Sequence, residues 1–368
     1  VSRRIQQSTD VDAGTLAKAR QELYRAQCNC PWWHGTFGGI YLPHLRDAVY
    51  EHLIAAENLL LAATPRAPGW IEGETADFNL DATPEVCLQN DRLAAYFHPA
   101  GGGSLYELDL RDIRHNLLAT LARRPEAYHD AIRHHHGQVW KQGGLDHMLQ
   151  YDGHLRKSLL DHFYEPGVTV EQLATRQERE LGDFVTGVYQ HRLDRINGQL
   201  RLTLWRDGQA AGQNVRVTKE IVLAGDSDAL EVWYSLENCP RQTPLCFAVE
   251  FNFAGLAAGA DDRYFYHAGQ ARAGQLQTRQ DLPDAEHIGL VDEWRGVDVS
   301  LSLSRRGCIR AFPIQTVSQS EGGFELVHQS TVVMPQWRVE ADERGRWEVT
   351  LKLRMDVTRA LSRLPAAA

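Results

Sequence analysis

The densest group of residues able to do chemistry lies in Ala26–Arg46, AQCNCPWWHGTFGGIYLPHLR. Trp32 and Trp33 adjoin His34, with Asn29 just before them and Gly35, Gly38 and Gly39 just after. Flat apolar rings, an imidazole and a carboxamide are what a sugar needs: the rings stack on its faces and the polar groups meet its hydroxyls. Trp32, Trp33 and His34 are therefore the candidate substrate-binding residues, and Asn29 joins them through the motif described below. The same side chains would also suit a hydrophobic plug between two helices, and their types alone leave both roles open.

Other candidates are weaker. Glu250 and Asn252 alternate with Phe251 and Phe253, which puts two polar groups on one face of a strand. A sugar mutarotase needs a carboxylate base and a histidine acid flanking an anomeric hydroxyl. Glu250 with a histidine from Arg111–Phe163 is the pair that could supply them, and a polar core network is the plainer account. Cys28 and Cys30 stand too close for a zinc knuckle and have no second pair nearby. In His134-His135-His136, adjacent helical positions point about 100° apart, so the three do not converge on one ion. Asp77, Asp81 and Glu85 suggest calcium without completing an EF-hand loop. The expectation is no resident metal and no cofactor.

The elements that must position these residues are of two kinds. Up to about Thr64 the apolar spacing is helical, and Pro43 suits the first turn of a helix carrying Leu45, Val49, Leu53, Ala56 and Leu60. Pro65-Arg66-Ala67-Pro68-Gly69 ends it. Beyond that break, alternating segments separated by turn residues predict strands. They are three over Glu85–Leu110, then Phe184–Leu193, Leu200–Arg206, Val215–Leu223, Leu230–Leu236, Cys246–Phe253, Val297–Leu303, Ile309–Ile314, Phe324–Val333 and Trp347–Val357. The fold class expected is mainly β with a helical N-terminal segment: residues 1–70 helical, residues 71–368 a large antiparallel sandwich. A histidine-rich excursion with short helices interrupts it near residues 111–160.

Composition narrows the partners. The 368 residues carry 39 Lys and Arg against 48 Asp and Glu, a net charge of −9, which disfavours nucleic acid and anionic membranes as partners. No apolar run reaches the length of a membrane span, and the scattered cysteines require no disulfide framework, so a cytoplasmic location is expected. The first residue is Val1 rather than Met, and a piece of a longer protein is expected.

The opening stretch resembles the last signature of glycoside hydrolase family 57, in its 4-α-glucanotransferase and α-amylase branch, of the type A-Q-C-N-D-x-Y-W-H-G-x-F-G-G-x-Y-L-P-H-L-R. Ala26, Gln27, Cys28, Asn29, Trp33, His34, Gly35, Phe37, Gly38, Gly39, Tyr41, Leu42, Pro43, His44, Leu45 and Arg46 match it. Cys30 replaces the usual acidic residue and Trp32 the usual tyrosine. Downstream, SLLDHF, FNFAGLAAGADDRYFY and TVSQSEGGFELVHQSTVVMPQW are similar to the family's C-terminal domain. The resemblance implies a sandwich like the galactose mutarotase supersandwich and an α-1,4-glucan or maltooligosaccharide as ligand. It also implies a catalytic barrel as partner, supplying the two carboxylates that retaining chemistry needs about 5 Å apart. Neither barrel motif occurs here. By resemblance Trp33 and His34 line the glucan cleft, and the chain by itself is inactive. A stand-alone carbohydrate-binding module and an aldose mutarotase are the other functions weighed. Helix faces left bare without the barrel would favour self-association into a homo-oligomer.

Overall fold

The computed structural model describes residues 1–34, 38–133, 141, 143–240, 245–255 and 257–363. Helix α1 (Ser2–Gln7) leads into α2 (Ala13–Ala26), whose start is fixed by the Asp12 carboxylate accepting the Thr15 N–H at 3.0 Å. Helix α3 (Pro43–Ala62) begins at the expected proline and stops before the Pro/Gly break. Ile5, Ala19, Ala56 and Leu60 close the small core among these helices.

After the break come β1 (Ile71–Ala76), β2 (Glu85–Asn90), β3 (Leu93–His98), β4 (Ser104–Leu110) and the short β5 (His115–Asn116). They form a five-stranded antiparallel sheet in chain order. Val86, Leu88, Ala95 and Phe97 on its inner face join the main core, while Cys87, Ala94 and Tyr96 form a separate outer cluster. The helices lie over that outer side: Arg4 pairs with Glu74 at 3.7 Å, and Asn58 donates to the Arg111 carbonyl at 3.0 Å.

The second layer is a twelve-stranded sheet. Its strands are β6 (Leu160–Tyr164), β7 (Gln190–Ile196), β8 (Gln199–Ala210), β9 (Gln213–Ala224), β10 (Ala229–Glu237), β11 (Leu245–Phe253), β12 (Arg263–His267), β13 (Gln270–Gln275), β14 (Gln280–Asp292), β15 (Val297–Ser320), β16 (Gly323–Val339) and β17 (Trp347–Asp356). The order runs β13-β12-β14-β15-β17-β10-β9-β8-β7, with β16 leading from β15 to β11 and then β6. Period-two alternation drives it: Leu200, Leu202 and Leu204 on β8, and Leu230, Val232, Tyr234 and Leu236 on β10 two strands away in the same sheet, all contribute to one core.

The structure is a mostly β, antiparallel sandwich, as the pattern predicts. Strands β1, β6 and β12–β14 add to those the pattern predicts, and three further details differ. The strand expected over Phe184–Leu193 begins only at Gln190, because Phe184 is fully buried as a loop anchor. Val297–Leu303 and Ile309–Ile314 are one continuous strand, β15. The Gly307 between them is no turn: a Cβ there would lie 2.6 Å from the Gln336 carbonyl, so the close approach of β16 requires glycine. Finally, the helices do not leave broad apolar faces bare. Of the described large apolar side chains in the helical segment, Tyr24, Trp32 and Trp33 are the exposed ones.

The helical segment is locked onto the sandwich by Arg46 and Asp47. The Arg46 guanidinium donates to the carbonyls of Ile40 and Ala119 and, at 2.8 Å, to Gln329 Oε1 on β16. Gln329 in turn donates to the Tyr41 carbonyl at 3.0 Å. Asp47 pairs with His115 at 2.7 Å and with Arg295. Among the described residues no helix is long and apolar enough to cross a membrane.

Candidate functional site

Trp32 and Trp33 stand on a loop between α2 and α3, 61% and 53% exposed, which removes them from a plug role. Asn29 caps a 3-10 turn at Cys30–Trp32 with its backbone and is itself exposed. Trp32 Nε1 donates to the Ala26 carbonyl at 3.3 Å, which fixes the ring edge-on to the end of α2. The Trp33 carbonyl accepts the Ile40 N–H at 3.0 Å, so the loop closes on itself.

Gly39 makes that closure possible. Its φ is +49°, and a Cβ would fall 2.1 Å from the Trp33 carbonyl oxygen. Gly39→Ala is therefore expected to unseat the loop while the sandwich persists. A shift in tryptophan emission with unchanged far-UV circular dichroism is the predicted signature, and unchanged emission would count against the tie.

Next along the chain, His34 stacks on Tyr128 at 4.8 Å and meets Tyr41 edge-on at 5.3 Å. Burial pushes the His34 imidazole down from its ordinary value, keeping it neutral, and its Nε2 has no hydrogen-bond partner. The Tyr41 hydroxyl donates to Glu126, which Arg124 also holds at 2.9 Å. Tyr128 donates to the Val317 carbonyl at 3.2 Å, so this wall rests on the end of the long β15–β16 hairpin. The loop therefore offers two exposed rings, and the Arg124 and Glu126 pair joins it through Tyr41, a combination of stacking and polar groups suited to sugars.

Glu250 is elsewhere, sealed inside the sandwich at 0% exposure on β11. Its Oε1 accepts from Arg156 at 2.9 Å and from Asn252 at 2.7 Å. Its Oε2 lies 3.0 Å from His162 Nε2 and 3.3 Å from His154 Nε2. The structure thus does bring histidines of the expected region to Glu250. Arg156 also donates to Asp152 at 2.6 Å, and Asp152 chelates the Arg123 guanidinium. Burial would raise the Glu250 carboxyl, but Arg156 and the two histidines override it and hold it well below the usual range. Burial would lower His162, yet Glu180 at 2.7 Å and Glu250 together push it up to about 9. This is an ionised network whose members occupy one another. His154, His162 and Glu250 have donor atoms close enough for a metal ion, but the Arg156 charge beside the same carboxylate opposes one.

The sequence reading missed Arg156, Asp152 and Glu180, which carry no motif. It missed Lys219 too, an inward-facing cation among Val217 and Ile221, fully buried and 2.9 Å from Asp161. Its one available signal was the break in the apolar alternation of β9. Cys28 and Cys30 are exposed free thiols, and the His134–His136 tract lies outside the described residues.

Fold and loop together define a helical segment locked onto a large antiparallel sandwich and presenting exposed tryptophans. The chain belongs to the α-amylase/4-α-glucanotransferase family of glycoside hydrolases: residues 77–351 match its C-terminal domain and residues 1–60 its middle domain. It is 33% identical over 345 residues to the 4-α-glucanotransferase of Thermococcus kodakarensis, covering 89% of this chain and 47% of the relative. It is 30% identical over 353 residues to α-amylase 1 of Dictyoglomus thermophilum, covering 91% and 48%. The crystal structure of 4-α-glucanotransferase from Thermococcus litoralis superposes with a TM-score of 0.74 at 28% identity, over 92% of this chain and 48% of that one. A galactose mutarotase-like protein of Clostridium acetobutylicum matches over 78% of this chain and 98% of its own at 9% identity and a TM-score of 0.48, too remote to bear on activity. The chain spans about half the length of the curated relatives it matches.

Proposed function

We propose that this chain forms one wall of an α-1,4-glucan cleft and braces it against the sandwich, in an enzyme whose reacting carboxylates lie outside these residues. The observation that carries the reading is the pair of exposed rings, Trp32 and Trp33, held on a loop that Gly39, Tyr41 and Arg46 pin in place. Stacking surfaces kept in water on a rigid mount suit a sugar chain that slides or is exchanged.

Retaining chemistry is not expected from the residues of this site. Glu126 is tied to Tyr41 and Arg124, and Glu250 has no open approach. The chain is expected to bind maltoheptaose saturably, and Trp33→Ala to weaken that binding about tenfold, the loss of one stacking ring. Calorimetry checks both, and absence of saturation at millimolar maltoheptaose would defeat the reading. Redistribution of maltooligosaccharide chain lengths by the chain alone would defeat its second half. An aldose mutarotase activity is disfavoured by Glu250, whose oxygens are already engaged by Arg156, Asn252 and the two histidines.

A further inference from the structure

At one end of the inner strands of the five-stranded sheet, three metal-ligating side chains come together. Glu85 opens β2 and His98 closes β3, and because Val86 pairs with Phe97, the next position in that register sets Glu85 opposite His98. Asp81 arrives from the loop that joins β1 to β2. A carboxylate oxygen from each acid and a ring nitrogen of His98 all lie within 4.8 Å of one another.

What separates this group from an ordinary acidic cluster is an unmet demand. Glu85 is 0% exposed, and while its Oε2 accepts the Phe78 N–H at 2.8 Å, its Oε1 has no partner. A carboxylate oxygen buried without a donor is costly. His98 is in the same condition: its Nε2 is buried without a hydrogen bond and lies 4.0 Å from Asp81. The ring is held in that pose because Gly101 leaves room for it; a Cβ at Gly101 would lie 2.5 Å from His98 Nδ1. A single cation placed between them would satisfy both orphaned atoms together.

The loop around them is shaped in advance. Asp77 spends its carboxylate on the N–H groups of Leu80, Asp81 and Ala82, which holds Leu80 and Ala82 at φ +67° and +70°. Asp77 is thus the builder of the turn rather than a donor to the ion. A cavity of about 290 Å³, lined by Asn79, Asp81, His98, Tyr106 and His154 among others, opens onto Asp81 and His98, with Glu85 behind them.

We propose that Asp81, Glu85 and His98 form a divalent-cation site. Two carboxylates and one imidazole suit ions that accept oxygen and nitrogen alike, and waters would complete the shell. The sequence alone suggested no metal because Asp77, Asp81 and Glu85 lack the EF-hand spacing; His98 comes from the neighbouring strand and is invisible to a linear motif.

Mn²⁺ is the probe, since it takes both donor types and its free and bound forms differ in electron paramagnetic resonance. The chelator-treated chain is expected to bind one Mn²⁺. Asp81→Asn and His98→Gln, both at the solvent edge, should each weaken binding about tenfold or more. Glu85→Gln should raise the melting temperature of the metal-free protein, by removing an unpaired buried charge, and should abolish the increase that Mn²⁺ gives. Absence of binding at millimolar Mn²⁺ would overturn the proposal. So would affinity undiminished in His98→Gln or Asp81→Asn, which would assign the ion to surface histidines.

Discussion

Arg156→Leu is expected to cost about 3–5 kcal/mol of unfolding free energy, enough to remove much of the stability of an ordinary domain. Arg156 is 2% exposed and lies between Glu250 at 2.9 Å and Asp152 at 2.6 Å. Leucine fills much of the same volume, so the loss comes from two buried carboxylates deprived of their shared cation rather than from a cavity. Asp152 keeps Arg123, whereas Glu250 keeps Asn252 and the histidines alone. Glu250→Gln should cost less than Arg156→Leu, because the amide retains an acceptor for Asn252 and buries no charge. The control is Arg192→Ala. Its partner Asp194 lies 2.7 Å away, but the Arg192 side chain is 67% exposed, and the effect should stay within about 1 kcal/mol. Urea titrations of the three variants check the order. Equal costs for Arg156→Leu and Arg192→Ala would refute the account of the network.

Stability is expected to fall by about 2 kcal/mol as pH rises from 6.5 to 8, with His162 as the main cause. Its folded pKa is raised from 6.5 to about 9, so the folded protein holds a proton that the unfolded chain releases. That contribution is complete below 6.5 and is lost as pH climbs through 9. Glu107, pushed up to about 7 by burial and by Glu57, acts in the same direction but finishes earlier. His328, held down at about 4 by burial, acts oppositely, stabilising as pH rises, and its effect is spent by 6.5. Buried Lys157, pushed down to about 8, opposes the fall only above that pH. Melting temperatures across this window test the sum. Glu180→Gln keeps the acceptor that the Phe163 and Gly182 N–H groups use, yet removes the nearest charge from His162. It should flatten the profile, and an unchanged slope would exclude His162 as its source.

These two predictions rest on residues that linear reading could not find. The helices were legible because Pro43 and the Pro65–Gly69 break bound them, and β8, β9, β10 and β17 were legible because they alternate cleanly. β6 was not: all its residues are buried, so it shows no alternation, and its Asp161 and His162 look like loop residues. β12–β14 were also missed, β13 being a largely exposed edge with few apolar side chains. For the site, the aromatic loop announced itself by residue type, and Glu250 with Asn252 by their shared face. The partners of Glu250 come from chain segments about ninety residues away, and no spacing encodes a contact of that range.

The grip of Arg46 and Asp47 has a practical meaning for recombining relatives of this protein. The matches to middle and C-terminal domain models, 1–60 and 77–351, invite a crossover in the Pro/Gly break between them. Such a chimera would set Arg46 and Asp47 from one parent against the residues at 119, 329, 115 and 295 from the other. Shuffling should therefore keep helix and sandwich as a single inherited block, and treat the visible linker as a hinge in the sequence only.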